Sequence, residues 1–356
     1  MAGLVSGEDQ KKPETGLLIH IGKFTLRPSG FLDAIGVTRS ASTPDSISTH
    51  LGSFPLTDTP TLTDGSLRNS RIMLKGELPA GPVKFSGYME SDFLNFTPGQ
   101  SPYRWRQYWG QASIGNWEIL GGQAWSFLRP NRLGLATDRD MFHTDVIDAA
   151  YHTGLLGFRP RQVRVIRNMG NYKAGVAWEE GGNLLAKIAR DGGRTHLEAT
   201  GLAGRSGRQG ASAAGVIRAT ARLRLVAQQY WSKRALQEAL NVVPQSASGL
   251  STIDGAEYQL QKNLEVYFYG GVVYASRFAG NRVVRQWSLG ANRKLDAPSL
   301  WGDFVLSLQY SHMDRDLWTG RSGAMDMVWY RVRYTFNHAR EGIDPRAQGT
   351  DVKSGK

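Results

Sequence analysis

The chain has 356 residues, 40% hydrophobic and 21% charged, with 13 Phe, 10 Trp, 13 Tyr, 42 Gly, no Cys and a formal net charge of +12. The missing cysteines exclude disulfide scaffolds, thiolate metal sites and cysteine nucleophiles. No apolar run reaches the ~18 residues of a membrane-spanning helix, and the chain is too apolar and aromatic for a disordered one. A mean hydropathy of -0.37 suits a soluble protein. It equally suits a membrane β-barrel, in which lipid-facing residues alternate with lumen-facing ones.

Residues 1–23 form a polar N-terminal segment, expected in the periplasm or the lumen. Gly16 to Ile21 (GLLIHI) is too short for a signal-peptide core, and no small-residue cleavage site follows it. Taken alone this start describes a cytoplasmic protein; taken with the pattern downstream, Met1 reads as a start placed on a mature or truncated chain.

From residue 24 onward a period-2 pattern takes over. In Arg71 to Leu78 (RIMLKGEL), Ile72, Leu74 and Leu78 oppose Arg71, Lys75 and Glu77. Val83, Phe85 and Met89 then oppose Lys84, Ser86, Glu90 and Asp92. The same division places Leu197, Ala199 and Ala203 against Arg194, His196, Glu198 and Thr200, and Val266, Phe268, Val272 and Tyr274 against Glu265, Tyr267 and Tyr269. Near the end, Phe304, Leu306, Leu308 and Tyr310 oppose Asp303, Ser307, Gln309 and Ser311, and Val328 to Phe336 continue the alternation.

About 16 strands are predicted, at 24–40, 69–78, 83–93, 103–114, 117–127, 161–168, 172–179, 184–190, 194–203, 211–220, 222–231, 255–262, 264–276, 282–293, 299–313 and 324–336. Face assignment is ambiguous in the fourth, fifth, eighth and tenth. Most are long enough to cross a bilayer with tilt. Links after even-numbered strands are tight (Gly115-Asn116, Met169-Gly170-Asn171, Lys262-Asn263), whereas most links after odd-numbered strands are longer (41–68, 94–102, 128–160, 232–254, 314–323). Short turns at one end and long loops at the other are the layout of an outer-membrane barrel. A soluble propeller or sandwich fits less well: no blade-length repeat is present, and such wide aromatic faces would aggregate in water. One helical patch, Lys233 to Leu240, lies inside a long link. The fold class expected is therefore all-β, a transmembrane antiparallel β-barrel of about 16 strands over 24–336 with an inward-folded constriction loop, followed by a polar tail over 337–356.

The final strand, Val328 to Phe336 (VWYRVRYTF), resembles the C-terminal strand of bacterial outer-membrane barrels, which ends on Phe and serves as an assembly signal. Lys75 to Phe93, Trp117 to Phe127 (WEILGGQAWSF) and Arg161 to Glu179 resemble the DcaP-like porins. That resemblance implies a 16-stranded homotrimeric barrel passing small anionic solutes. Two features depart from it: residues 1–23 show no coiled-coil heptads, and 20 residues follow Phe336.

In porins a loop folded into the lumen sets selectivity. The longest link, Leu128 to Pro160, is the candidate; it carries Asp138, Asp140, Asp145 and Asp148. The lumenal parity presents Arg71, Lys75, Lys84, Arg164, Lys173, Arg194, Arg218, Arg222, Arg224, Arg331 and Arg333, against Glu77, Glu90, Glu179, Glu198, Glu257, Glu265 and Asp303. A basic wall facing an acidic loop creates a transverse field that favours anions. Arg suits the task because it stays charged and grips carboxylates bidentately.

Other functions have weaker support. The basic aromatic run Tyr103 to Trp109 (YRWRQYW) could stack nucleic-acid bases. The charge is spread along the chain rather than gathered in a patch, and an interfacial belt explains Tyr103, Trp105, Tyr108 and Trp109, so no nucleic-acid partner is expected. His143, His152, Asp145 and Asp148 fit no standard metal spacing. Gly201 to Gly210 (GLAGRSGRQG) lacks the Lys-Ser/Thr of a phosphate loop and reads as an exposed flexible loop. No nucleophile–base arrangement stands out, so no enzyme and no cofactor is expected. The expectation is a porin in the outer membrane of a Gram-negative-type bacterium, contacting lipid bilayer, lipopolysaccharide and small carboxylate-type solutes. The alternatives are a plugged receptor or structural barrel and, behind it, an outer-membrane enzyme.

Overall fold

The computed structural model describes residues 17–42, 54–94, 101–137, 158–236, 247–276, 280–297 and 302–336, with Ile47, Phe142, Thr144, Ile147 and Thr153 as isolated points. Strands β1 (Ile19–Ile21), β2 (Phe24–Arg39), β3 (Leu62–Ser66), β4 (Arg71–Ala80), β5 (Val83–Asp92), β6 (Arg104–Ile114), β7 (Trp117–Gln123), β8 (Arg161–Met169) and β9 (Tyr172–Glu179) form the first half of one antiparallel sheet. The second half contains β10 (Asn183–Asp191), β11 (Thr195–Gly204), β12 (Arg208–Arg218), β13 (Leu223–Lys233), β14 (Gly249–Gln261), β15 (Leu264–Ala275), β16 (Asn281–Ala297), β17 (Gly302–Leu317) and β18 (Ser322–Phe336).

Pairing of β18 with β2, from Met327↔Arg39 to Phe336↔Gly30, closes the sheet on itself. The ring has 16 staves, because β3 and β4 pair with successive halves of β2 and so share one stave. The short β1 pairs with the turn-side end of β2 beyond the reach of β18. Closure leaves no lipid-exposed strand edge, as a spanning structure in a medium without hydrogen-bonding solvent requires.

The outer surface is apolar and the inner one polar, as the alternation demands. Leu32, Ile72, Val176, Leu184, Leu289 and Leu308 are exposed outside, whereas Asp33, Glu90, Arg164, Glu179, Glu198 and Arg331 are buried inside. Exposed aromatics form two levels. Phe85, Trp117, Tyr172 and Tyr258 lie towards the short turns, and Trp105, Trp178, Trp231 and Tyr274 towards the opposite end. Tyr172 and Trp178 lie six residues apart on β9, roughly 20 Å along the strand and so about 15 Å apart in height at the usual strand tilt.

Strand positions match the predicted ones within a few residues, with informative differences. The fifth predicted strand stops at Gln123 rather than residue 127, so Ala124 to Leu128 leave the wall. Gly122 makes that departure possible at φ 136°, where an added Cβ would collide with the Tyr108 carbonyl oxygen. The glycine-rich 201–210 stretch is a tight hairpin end, with β11 and β12 running to either side of a 3-10 turn at Arg205–Gly207, and not a flexible loop. The barely visible link near Thr220 is set by that residue's hydroxyl, which accepts hydrogen bonds from the N–H groups of Arg222 (3.1 Å) and Leu223 (3.0 Å). Of the expected helical patch, Lys233 ends β13 and residues 237–240 lie outside the described residues.

The packed core lies inside the ring, where inter-strand links meet the wall. Phe127, Leu128 and Leu135 cluster with Ile166, Leu185 and Leu202, and Phe54 and Ile47 cluster with Val37, Met313 and Trp329. Two outcomes are expected. The unheated protein should migrate differently from the boiled one on a denaturing gel, and identical migration would contradict a closed barrel. Gly122→Ala should cost about 1–3 kcal/mol in denaturant unfolding, since both the positive φ and the close approach forbid a side chain.

Candidate functional site

After β7 the chain turns inward, and the described residues of this link make contacts with wall strands from β9 to β17. Its first residues stay close to the wall: the Phe127 N–H and the Ser126 hydroxyl donate to Glu179 (2.6 and 3.0 Å), and Lys187 donates to the Arg129 carbonyl (2.6 Å). Arg132 then reaches Glu257 on β14 with both guanidinium nitrogens (3.0 and 2.5 Å). Strand β14 lies seven staves from β7 in the ring order, close to diametrically opposite. The Thr144 N–H donates to Glu257 (2.9 Å), the Thr144 hydroxyl to Glu265, and the Ile147 N–H to Gln309 (3.0 Å). Ser251 donates to the Thr153 carbonyl. The chain returns beside its start, with Ser126 N–H donating to the Phe158 carbonyl (3.1 Å).

Glu257 anchors this link. It also accepts from Arg224 (2.5 Å) and from the Tyr269 hydroxyl (2.5 Å), so one buried carboxylate gathers wall and segment. Burial alone would lower the proton affinity of Arg132, but the Glu257 charge outweighs it and pushes that affinity above the usual arginine range.

Near the origin of the segment the charge is predominantly positive. Arg129 and Arg159 each lie 4.6 Å from the Trp125 ring centroid, and Arg106 lies 5.6 Å from it. Arg164 and Lys187 lie 5.4 and 5.5 Å from the Phe127 ring. Arg129, Arg164, Lys187 and the two rings border a small recess that is also lined by Asn131 and Thr137. Arg106 is held by Glu90 (2.5 Å) and Asp92 (2.6 Å), and Arg104 binds Asp92 with two bonds (2.9 and 2.7 Å). Arg159, in contrast, meets no carboxylate among the described residues. Burial, then the fields of Arg106 and Arg104, hold its proton affinity well below the usual arginine range.

Of the residues predicted to line the lumen, most are engaged by wall acids. Arg71 lies 3.5 Å from Glu90, Lys75 and Lys84 lie 3.7 and 3.0 Å from Glu77, and Lys173 lies 3.6 Å from Asp191. Arg333 binds Asp33 (2.7 Å), while Arg331 lies 3.8 Å from Asp33 and donates to Ser307 (2.8 Å). Arg164 is buried beside Phe127 and Arg224 is bound to Glu257, as described above. Arg218 is paired in register with Arg224 at the turn end of β12, and Arg194 and Arg222 are exposed in short turns. The acids Asp138, Asp140, Asp145 and Asp148, and likewise His143 and His152, lie outside the described residues.

Sequence reasoning placed Asp92 on the inner face but missed Asp33, Asp191, Arg106, Arg129, Arg132, Arg159 and Lys187. A register shift between Glu90 and Ser91 explains Arg106: opposite this bulge, Arg106 and Gln107 are both buried, and the parity of β6 inverts. Trp109, expected in the outer belt, is consequently inside, stacked on Tyr88 at 5.5 Å, while Trp105 and Tyr108 stay outside. Lys187 sits on the ambiguous eighth strand, bonded to Glu198 (2.9 Å).

A closed antiparallel ring of 16 staves, apolar outside and charged within, is the barrel architecture of bacterial outer-membrane porins. Among solved structures the chain is similar to the outer membrane channel DcaP of Acinetobacter baumannii, at TM-score 0.73 and 18% identity over 88% of this chain and 97% of that one. It shares the fold of outer-membrane-expressed OmpT of Vibrio cholerae, at TM-score 0.57 and 10% identity over 90% and 100% of the two chains. It also shares that of a mutant Rhodopseudomonas blastica porin, at TM-score 0.52 and 9% identity over 87% and 100%. No family model and no curated protein sequence matches the chain.

Removing Arg106 leaves Glu90 and Asp92 buried without their shared partner. Arg106→Ala should therefore destabilise the barrel by about 3–5 kcal/mol, and adding Glu90→Gln and Asp92→Asn should recover much of that loss. Simple additivity of the losses in denaturant unfolding would contradict the coupling.

Proposed function

We propose that this protein is a porin of the bacterial outer membrane that lets small hydrophilic, anionic solutes of carboxylate type diffuse through its lumen. The observation carrying this reading is the cluster of Arg106, Arg129, Arg159, Arg164 and Lys187 around Trp125 and Phe127, on and beside the inward segment after β7. The segment serves as the constriction, and its cations raise the local concentration of anions in a narrow passage with low-dielectric walls. Arg159 is the leading selectivity residue because no carboxylate among the described residues forms an ion pair with it and the field of Glu90 opposes its charge less than the neighbouring arginines reinforce it. The paired residues Arg71, Arg224, Arg331 and Arg333 contribute local dipoles more than net field.

The two levels of exterior aromatics support placement in a bilayer, with lipid and lipopolysaccharide as outer contacts and the long links at the cell surface. Resemblance to the DcaP-like porins supports a homotrimer. The reading assigns no catalysis, cofactor or nucleic-acid partner. A second reading, a plugged barrel, is favoured by one observation: Phe54, Phe127 and Phe142 on the inward links are almost completely buried.

Planar-bilayer recordings separate the two. Stable single-channel openings with an anion-selective reversal potential in a salt gradient are expected; absence of openings would support the plug. Arg159→Glu should roughly halve the anion-to-cation permeability ratio or reverse it, and an unchanged ratio would remove Arg159 from the selective site. Glu257→Gln should weaken the attachment of the crossing segment, and larger or noisier openings are the expected result.

A further inference from the structure

The outer face of β7–β10 carries two arginines at its short-turn end that neither barrel closure nor solute passage employs. Arg167 on β8 continues the exterior row of Val163 and Val165, and Arg190 on β10 continues that of Leu184 and Ile188. On the same two strands the buried Arg164 and Lys187 face the lumen. Arg167 stands three residues before the turn glycine Gly170, and Arg190 two before Gly192. Both therefore lie at the level of the turn-side aromatics.

Each guanidinium lies over the ring of its cross-strand partner. Arg167 is paired in register with Trp117, its guanidinium carbon 5.2 Å from the ring centroid, and Arg190 is paired with Tyr172 at 5.9 Å. Stacking engages the face of a guanidinium and leaves the N–H groups at its edge to donate. Those edge groups form no hydrogen bond or ion pair among the described residues. The acids of β7–β11 all face inward: Glu118 accepts from Asn168 and Gln111, Asp191 and Glu198 flank His196, and Glu179 holds the link after β7. Opposite Arg167, β9 presents only the methyl group of Ala174. The patch is thus positive, lined by two rings, and bordered by no acid of its own face.

We propose that this face binds an anionic phospholipid, whose phosphodiester is gripped between Arg167 and Arg190 with the Tyr172 hydroxyl as a further donor. The two arginines lie two strands apart, roughly 10 Å across the sheet, and one phosphate with a guanidinium on either side fills about that width. The acyl chains then lie along the wall over the exposed Val163, Val176 and Ile188. Two uncompensated arginines at one level favour a headgroup of net negative charge over a zwitterionic one. The site rests on the outer-membrane placement proposed above, in which short turns face the periplasm, and is independent of what passes through the lumen.

Native mass spectrometry of the purified, detergent-solubilised protein reads this site when phosphatidylglycerol or phosphatidylethanolamine with the same acyl chains is titrated in. Phosphatidylglycerol should bind about tenfold more tightly, and the double variant Arg167→Gln, Arg190→Gln should lower its affinity to the phosphatidylethanolamine level. Each single substitution should give an intermediate loss. Arg293→Gln, which removes an exposed cation near the turn-side end of β16, should leave the preference in place. The heat-dependent gel shift verifies each barrel, and its absence from the parent protein would overturn the porin reading and this site together. With the shift present, equal affinity for the two lipids, a preference that survives loss of both arginines, or an equal loss in Arg293→Gln would overturn this proposal alone.

Discussion

Everything else in this protein depends on the pairing of β18 with β2. In a medium that offers the backbone no hydrogen bonds, an open sheet would leave two rows of unpaired groups, and only closure satisfies them. Ten consecutive register pairs, Met327↔Arg39 to Phe336↔Gly30, provide it. Once the ring is closed, side-chain parity leaves no freedom: alternate residues face lipid or the interior. The aromatic levels, the buried charges and the packing of the inward links all follow from that division.

The closed ring also dictates how charge is arranged within. Basic and acidic residues on neighbouring staves lie within reach of each other, so Arg333 meets Asp33, Arg224 meets Glu257 and Arg106 meets Glu90 and Asp92. Pairing holds these side chains in place and cancels most of their long-range field. A net field arises only where cations outnumber the acids that reach them, and that happens where the inward segment leaves the wall at Trp125. The overall charge of +12 is thus a poor guide to where an anion would feel attraction. On the proposed anion-channel reading, Arg159 and Arg129, on the segment, contribute more to that field than Arg331 or Arg333 in the wall.

Much of this fold was legible in the sequence because a two-residue period leaves a trace wherever the partition between lipid and water is sharp. Strands such as β11, β15, β17 and β18 follow strict alternation and were located with correct faces. The trace failed where the backbone departs from a regular strand. The bulge opposite Glu90 inverts the parity of β6 midway, so Arg106 and Trp109 could not be placed from their neighbours. The division of one stave between β3 and β4 hid Leu62–Ser66 inside a presumed loop. Asp33 was hidden by its setting in a largely apolar strand, although it joins Arg331 and Arg333 at the seam. The anchor role of Glu257 had no local signal, because its partner Arg132 is 125 residues away.

The central claim, a lumen that attracts anions, is tested most directly by solute uptake into liposomes containing the purified protein. A small monocarboxylate and a neutral solute of the same size should both enter, with the carboxylate clearly faster at low ionic strength and the advantage shrinking as salt is added. Equal rates, a faster neutral solute, or no uptake of either would contradict it.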